Sequence, residues 1–278
     1  MQQFRVSGIE NLAICWNSLV GCVQPQILHF AQNLGLDPKR QSAGKSSILK
    51  QVIGILSKQQ MDVLVGLMLG DGHLEHNGYR GTRLQVKQSE EKKEYVSWLY
   101  SQFAHMIKTP PQQRKDTRQW YFGTRFFENL ENIRKVFYVN RKKVLPINIA
   151  DLFDSPLTLA VWFMDDGHLD YRAKSHYAYH ISTDSFTESE VQRLQTLLLK
   201  RFGIVAKTYM SLCRGKLYPK LYIGKEGRDL FTKTIAPYLL SCFEYKIPPV
   251  QQRYALTPQR LHAEPHHRLV GDDIVRSS

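Results

Sequence analysis

Leu64-Val-Gly-Leu-Met-Leu-Gly-Asp71-Gly72-His73-Leu74 and Leu159-Ala-Val-Trp-Phe-Met-Asp-Asp166-Gly167-His168-Leu169 are two versions of one segment. Each is an apolar run ending in Asp-Gly-His-Leu, and the two aspartates stand 95 positions apart (166 − 71). A run with no polar stripe predicts a helix buried on every side. The Asp-Gly that follows predicts a carboxylate at the last helical turn and a glycine in the left-handed C-terminal position. A helix C-terminus carries partial negative charge, which disfavours an aspartate there by a few tenths to about 1 kcal/mol. One Asp-Gly after one helix is an ordinary turn. Two at matching places point to a pair of acids, and a divalent cation would relieve both the dipole penalty and their mutual repulsion.

The flanks repeat as well. Ser57-Lys-Gln-Gln60 is a capping box that should start the first helix, and Ser155-Pro156 places an N-cap before proline at the start of the second. After the first helix the pattern predicts strands near 74–80 and 82–88 and a helix near 90–107 with Tyr95, Trp98, Leu99 and Phe103 inward. After the second it predicts strands near 169–174 and 177–182. A helix capped by Thr187 follows, with Val191, Leu194, Leu197 and Leu198 inward. Further strand candidates are Gln119–Phe122, Val205–Met210 and Leu221–Ile223, and further helices are Phe126–Phe137 and Arg228–Leu239. Each half closes on lysine before proline, Lys142-Lys143-Val-Leu-Pro146 and Tyr245-Lys246-Ile-Pro248. The chain therefore reads as a tandem α+β repeat. Its expected parts are an N-terminal extension (1–56), two half-domains (57–150 and 151–250) and a C-terminal tail (251–278).

Within the first helix, Gly66 and Gly70 lie four apart on one face, and the matching positions of the second helix are Val161 and Asp165. Glycine inside a helix costs about 1 kcal/mol, so its use here predicts close approach of two unlike helices within one monomer.

Composition narrows the partner. The 278 residues carry a net charge of +13, which favours a polyanion, nucleic acid or an acidic membrane surface. The basic residues are spread through predicted strands and loops with no basic amphipathic helix, so nucleic acid is preferred. No apolar stretch approaches the length of a membrane span, and the N-terminus lacks a secretory pattern. Cys15, Cys22, Cys213 and Cys242 form no CxxC pair, as expected for reduced cysteines in an intracellular protein. Bacterial cytoplasm and an organelle are equally compatible.

The paired segments, with Thr183-Asp-Ser-Phe-Thr187 and Ile235-Ala-Pro-Tyr-Leu…Tyr245-Lys-Ile-Pro248 around them, resemble the LAGLIDADG homing endonucleases. The likeness is to the monomeric, intron-encoded branch and runs from about Ser57 to Pro249. It implies two pseudo-symmetric α/β half-domains with saddle-shaped antiparallel sheets and the motif helices packed at the centre. It implies metal-dependent cleavage of both strands of a long double-stranded DNA target, with Mg²⁺ as cofactor. The acids carried over are Asp71 and Asp166. Gly70 and Asp165 take the position where the family uses the backbone carbonyl on the metal. Lys143 and Lys246 match the basic residues near the metals, with Lys142 the alternative to the first. His73 and His168 match no fixed family position and are read either as phosphate or metal-water contacts or as strand-start residues.

Arg83-Leu-Gln-Val-Lys87 alternates, so Arg83, Gln85 and Lys87 share one strand face, as His180 and Ser182 do opposite inward Tyr179 and Ile181. On the family's saddle these would face the major groove, where Arg and Lys suit guanine and Gln suits adenine. Arg114, Lys115, Arg118, Arg172, Lys174, Lys207 and Arg214 are the expected phosphate contacts, which position without specifying. The rival within the fold is an RNA-binding intron maturase without nuclease activity, its partner intron RNA. Two costly acids favour the nuclease, since an RNA binder has no use for them.

Overall fold

The computed structural model describes residues 56–79, 81–172 and 176–249. The readings made for the N-terminal extension and the tail lie outside these residues, as does Lys174. The described residues all belong to one unit.

The first motif helix, α1 (Lys58–Leu69), starts at Ser57, whose hydroxyl accepts from the Gln60 amide while the Gln60 side chain returns to the Ser57 N–H. From Met61 to Leu69 every residue is buried. The chain then forms β1 (His73–His76), β2 (Thr82–Gln88), α2 (Lys93–Phe103), β3 (Gln112–Gln113), β4 (Trp120–Gly123) and α3 (Glu128–Phe137). A hairpin, β5 (Tyr138–Val139) and β6 (Lys142–Lys143), and the single turn α4 (Ile149–Leu152) lead to the second motif helix. That helix, α5 (Pro156–Asp166), is capped by Ser155 and is buried from Leu157 to Asp165. It is followed by β7 (Gly167–Arg172), β8 (His176–Ser182), α6 (Glu188–Phe202), β9 (Lys207–Cys213), β10 (Lys216–Ile223) and α7 (Arg228–Ile235).

Both halves build the same antiparallel sheet. The strand orders are β1-β2-β4-β3 and β7-β8-β10-β9. One face of each sheet is apolar: Leu84 and Val86 on β2, Tyr179 and Ile181 on β8, Leu221 and Ile223 on β10 are buried. Helices cover that face. Phe163 of α5 meets Tyr179 and Phe231 edge-on, with ring centroids 5.4 and 5.1 Å apart. The other face of each sheet carries the polar residues.

The two motif helices pack directly on each other, and glycine permits it. A Cβ on Gly66 would stand 2.7 Å from Val161 Cβ, and one on Gly70 would stand 2.5 Å from Asp165 Cβ. The pairs are those that the sequence places face to face. Thr158 ties the helices further by donating to the Asp62 carbonyl at 3.0 Å.

Several expectations need correction. The glycines after the acids are not left-handed: Gly167 is extended, with φ −76° and ψ 148°, and neither Gly70 nor Gly72 has positive φ. Glycine is needed there for space, since a Cβ on Gly72 would meet Leu67 at 2.6 Å and one on Gly167 would meet the Phe163 ring at 2.0 Å. Asp71 also lies beyond its helix, which ends at Leu69, whereas Asp166 is the last residue of α5. The strand near 74–80 stops at His76, and the helix from Arg228 stops at Ile235 because Pro237 lies in the turn that follows. The helix near 90–107 is α2 flanked by two short 3₁₀ turns. No helix among the described residues is long and apolar enough to cross a membrane.

Candidate active site

The meeting ends of α1 and α5 place three carboxylates together. Asp165 is buried and Asp166 nearly so, while Asp71 is exposed. The Asp165 carboxylate turns into the helix interface, where its Oδ2 accepts from the Asp71 N–H at 3.0 Å. Gln88, at the end of β2, donates to Asp71 Oδ2 at 3.0 Å and reaches Asp165 Oδ1 at 3.4 Å. Burial, reinforced by the charge of Asp71, pushes Asp165 up to about 7. Burial and the charges of Asp71 and Asp165 push Asp166 up to about 8. Negative charge is therefore crowded and incompletely offset.

Two lysines stand against it, one at the end of each motif helix. Lys143 donates to the carbonyls of Gly70 and Gly72 at 2.7 and 2.9 Å. The β5–β6 hairpin aims it there, turning through Asn140 and Arg141, both with positive φ (50° and 64°), as a two-residue hairpin requires. Lys142 points to solvent, so Lys143 is the lysine at the helix end. Lys246 is buried and donates to the Met164 carbonyl at 2.7 Å and to Phe163 at 3.3 Å. It closes a 3₁₀ turn, Ser241–Lys246, so the two halves bring ammonium groups to helix ends by different local structures. Burial holds Lys246 down to about 8 and lowers Lys143 too.

The donors suit a hard divalent cation. Carboxylates crowded enough to resist ionisation, beside helix-end carbonyls, are oxygen ligands that such an ion would relieve. No three His, Cys, Asp or Glu side chains among the described residues converge as a metal cage. The remaining ligands would be water and phosphate oxygens, as is usual for magnesium. Asp71 and Asp166 are acids that could hold it. The Gly70 carbonyl is already engaged by Lys143.

From this centre a groove of about 720 Å³ runs along the first sheet, lined by Asp71, His73, Arg83, Gln85, Lys87, Gln88, Arg114 and Tyr121 among others. It gathers Asp71 with the β2 trio and Arg114. Lys115 lies exposed in the adjoining turn, and Arg118 pairs with Glu90 at 2.7 Å on the surface. On the second sheet His180 and Ser182 share the polar face. The His180 ring bonds the Tyr209 hydroxyl at 2.8 Å, and Ser182 accepts from Lys220 at 3.4 Å. Arg172 and Lys207 lie exposed at strand ends, and Arg214 turns the β9–β10 hairpin with φ 51°. His73 opens β1 and touches the Tyr138 hydroxyl at 3.4 Å; His168 lies on β7 opposite His180.

Gln88 was missed, although a signal existed. It continues the inward parity of Thr82, Leu84 and Val86, and a polar residue at such a position needs a buried partner. The second half lacks its equivalent. Register pairs His73 with Gln85 and His168 with His180, so Thr183 matches Gln88. Thr183 turns away and donates to the Pro219 carbonyl at 2.5 Å.

A family model described as the LAGLIDADG DNA endonuclease family matches residues 61–231. The chain belongs to this family. Its relatives include the cytochrome b mRNA maturase bI2 of Debaryomyces hansenii, 29% identical over 69% of this chain and 74% of the relative. They also include DNA endonuclease I-ChuI of Chlamydomonas applanata, 27% identical over 69% of this chain and 95% of the relative. Among solved structures, homing endonuclease I-WcaI bound to its DNA recognition sequence aligns with a TM-score of 0.61 at 24% identity, covering 78% of this chain and 96% of that one. The last likeness concerns the LAGLIDADG fold, which the two sheets and central helix pair display here.

Proposed function

We propose that this LAGLIDADG chain is a site-specific endonuclease that acts as a monomer and hydrolyses one phosphodiester on each strand of a long double-stranded DNA target. The observation that carries the reading is the crowding of three carboxylates where two repeat-related helices end. Asp71 and Asp166 would hold divalent metal, Mg²⁺, with the carbonyl of Asp165, and the Gly70 carbonyl would join them only by releasing Lys143. When bound, the metal supplies activation of water and neutralises the leaving 3′-oxygen. Lys143 and Lys246 hold the helix-end carbonyls and add positive charge where phosphate negative charge would develop. Gln88 orients Asp71 from the sheet. Arg83, Gln85, Lys87, His180 and Ser182 would face base edges; Arg114, Lys115, Arg118, Arg172, Lys174, Lys207 and Arg214 would hold phosphates. The test is sequencing of ends produced from a randomised duplex library with Mg²⁺ and with chelator. Paired cuts at one recurring sequence, absent in chelator, are expected; no cutting of any duplex would defeat the reading.

A second reading has its own support. The maturase relative is as similar as the endonuclease relative, so intron RNA is the alternative partner. Tight binding of structured intron RNA without cleavage of any DNA would select it. The buried acids favour the nuclease, because charge crowding of this kind is of no use to an RNA binder.

A further inference from the structure

One carboxylate stands among the outward groups of the first sheet. Glu75 on β1 lies opposite Arg83 on β2, and its Oε2 accepts from both Arg83 Nε and Gln85 Nε2, the latter at 2.7 Å. An isolated exposed ion pair stabilises little. The surroundings make this one a positioning device. The guanidinium lies 5.0 Å from the centre of the Phe126 ring, which covers its flat face. Beside it β4 contributes Gly123, whose missing Cβ would stand 3.9 Å from Arg83 Cδ and Nη1. The arginine thus lies along bare backbone, held at one nitrogen and one face.

The nitrogen that is held matters. With Nε on Glu75, the Nη1–Nη2 edge takes no hydrogen bond among the described residues. That edge is a pair of parallel donors, the shape that fits guanine O6 and N7. A carboxylate only accepts, so the Gln85 amide must also turn its nitrogen to Glu75. Arg83 and Gln85 line the groove that leads from Asp71, and Glu75 does not. A carboxylate placed near a polyanion's path lowers general affinity, which makes sense only if it improves selection.

We propose that Glu75 is a specificity-determining positioning residue: it holds Arg83 by Nε so that the free edge selects guanine at one base pair of the half-target read by the first sheet. This rests on the reading of that sheet face as a DNA-reading surface. The test uses the full chain and a randomised duplex library, with chelator present, and sequences the bound fraction. The wild-type protein should show a guanine preference at one position that Arg83→Ala erases. Glu75→Gln should weaken that same preference by roughly 5- to 150-fold, the discrimination of one bidentate contact. Binding to unselected duplex should stay equal or tighten. In the Arg83→Ala background, Glu75→Gln should change nothing more at that position.

An unchanged selection profile in Glu75→Gln overturns the proposal. So does a loss spread evenly over all positions, an effect that persists without Arg83, or a wild-type protein that selects no base pair. Circular dichroism of each variant confirms that it is folded. Because the readout is binding without metal, it separates from catalysis. A protein that selects duplex but never cuts it removes the nuclease reading and leaves Glu75's role standing. A protein that cuts its target while Glu75→Gln selects as the wild type does removes only the role of Glu75.

Discussion

At the residue scale, the site is governed by charge held where water is scarce. Asp165 and Asp166 have folded values of about 7 and 8 against an ordinary 3.8. Between about pH 4 and 8 the folded chain therefore binds more protons than the unfolded chain, and its stability falls as pH rises. Lys246, lowered from 10.5 to about 8, acts above that window and returns stability between about pH 8 and 10.5. Thermal melts in chelator should show a melting temperature that drops from pH 5 to pH 8, with a shallower drop in Asp165→Asn. A flat or rising profile would mean that these acids are not buried as described. Gln88 supplies a second check. Its amide reaches Asp165 Oδ1 at 3.4 Å, a carboxyl that ionises around pH 7, and hydrogen bonds to charged groups contribute about 1.5–3 kcal/mol against 0.5–1.5 for neutral ones. Urea unfolding of Gln88→Ala should show a larger loss at pH 8 than at pH 5.

At the element scale, the pair of motif helices is the joint of the molecule. Gly66 faces Val161 Cβ and the Thr158 carbonyl, each within 2.8 Å of where a Cβ would stand. Gly66→Ala should therefore destabilise by about 1–3 kcal/mol through overpacking, despite alanine's better helix propensity; denaturant midpoints would show it, and a stabilised variant would contradict the close approach. Much of this level was legible in the sequence. The capping boxes at Ser57 and Thr187 start their helices as read, and the glycine face found its partners. The reason glycine follows each acid was misread, because left-handed geometry and lack of space make the same demand on residue type. Lys246 reached the site from a 3₁₀ turn and Lys143 from a hairpin. Their proline-bounded segments revealed the kinship but not these different routes. Gln88 and Glu75 were missed because each acts through a cross-strand or long-range partner, which only register discloses.

At the scale of the whole molecule, duplicated sheets of identical strand order carry different chemistry. The first presents Arg83, Gln85 and Lys87, and the second presents His180, Ser182, Tyr209 and Tyr222. Unequal faces suit a target with unequal halves. The net charge of +13 predicts duplex affinity that falls steeply between 50 and 200 mM salt. Lys207→Ala should weaken binding to all sequences alike and reduce the log–log salt slope by about 1. A sequence-dependent loss in that variant would move Lys207 from phosphate to base contact.

The central claim is that Asp71 and Asp166 form one metal-dependent site that serves both strands. Its most direct test is strand-resolved cleavage of the selected target, labelled on each strand, by the wild-type protein, Asp71→Asn and Asp166→Asn with Mg²⁺. Wild-type protein should cut both strands, and each variant should lose both cuts while still binding the duplex. Undiminished cutting of both strands by either variant would contradict it.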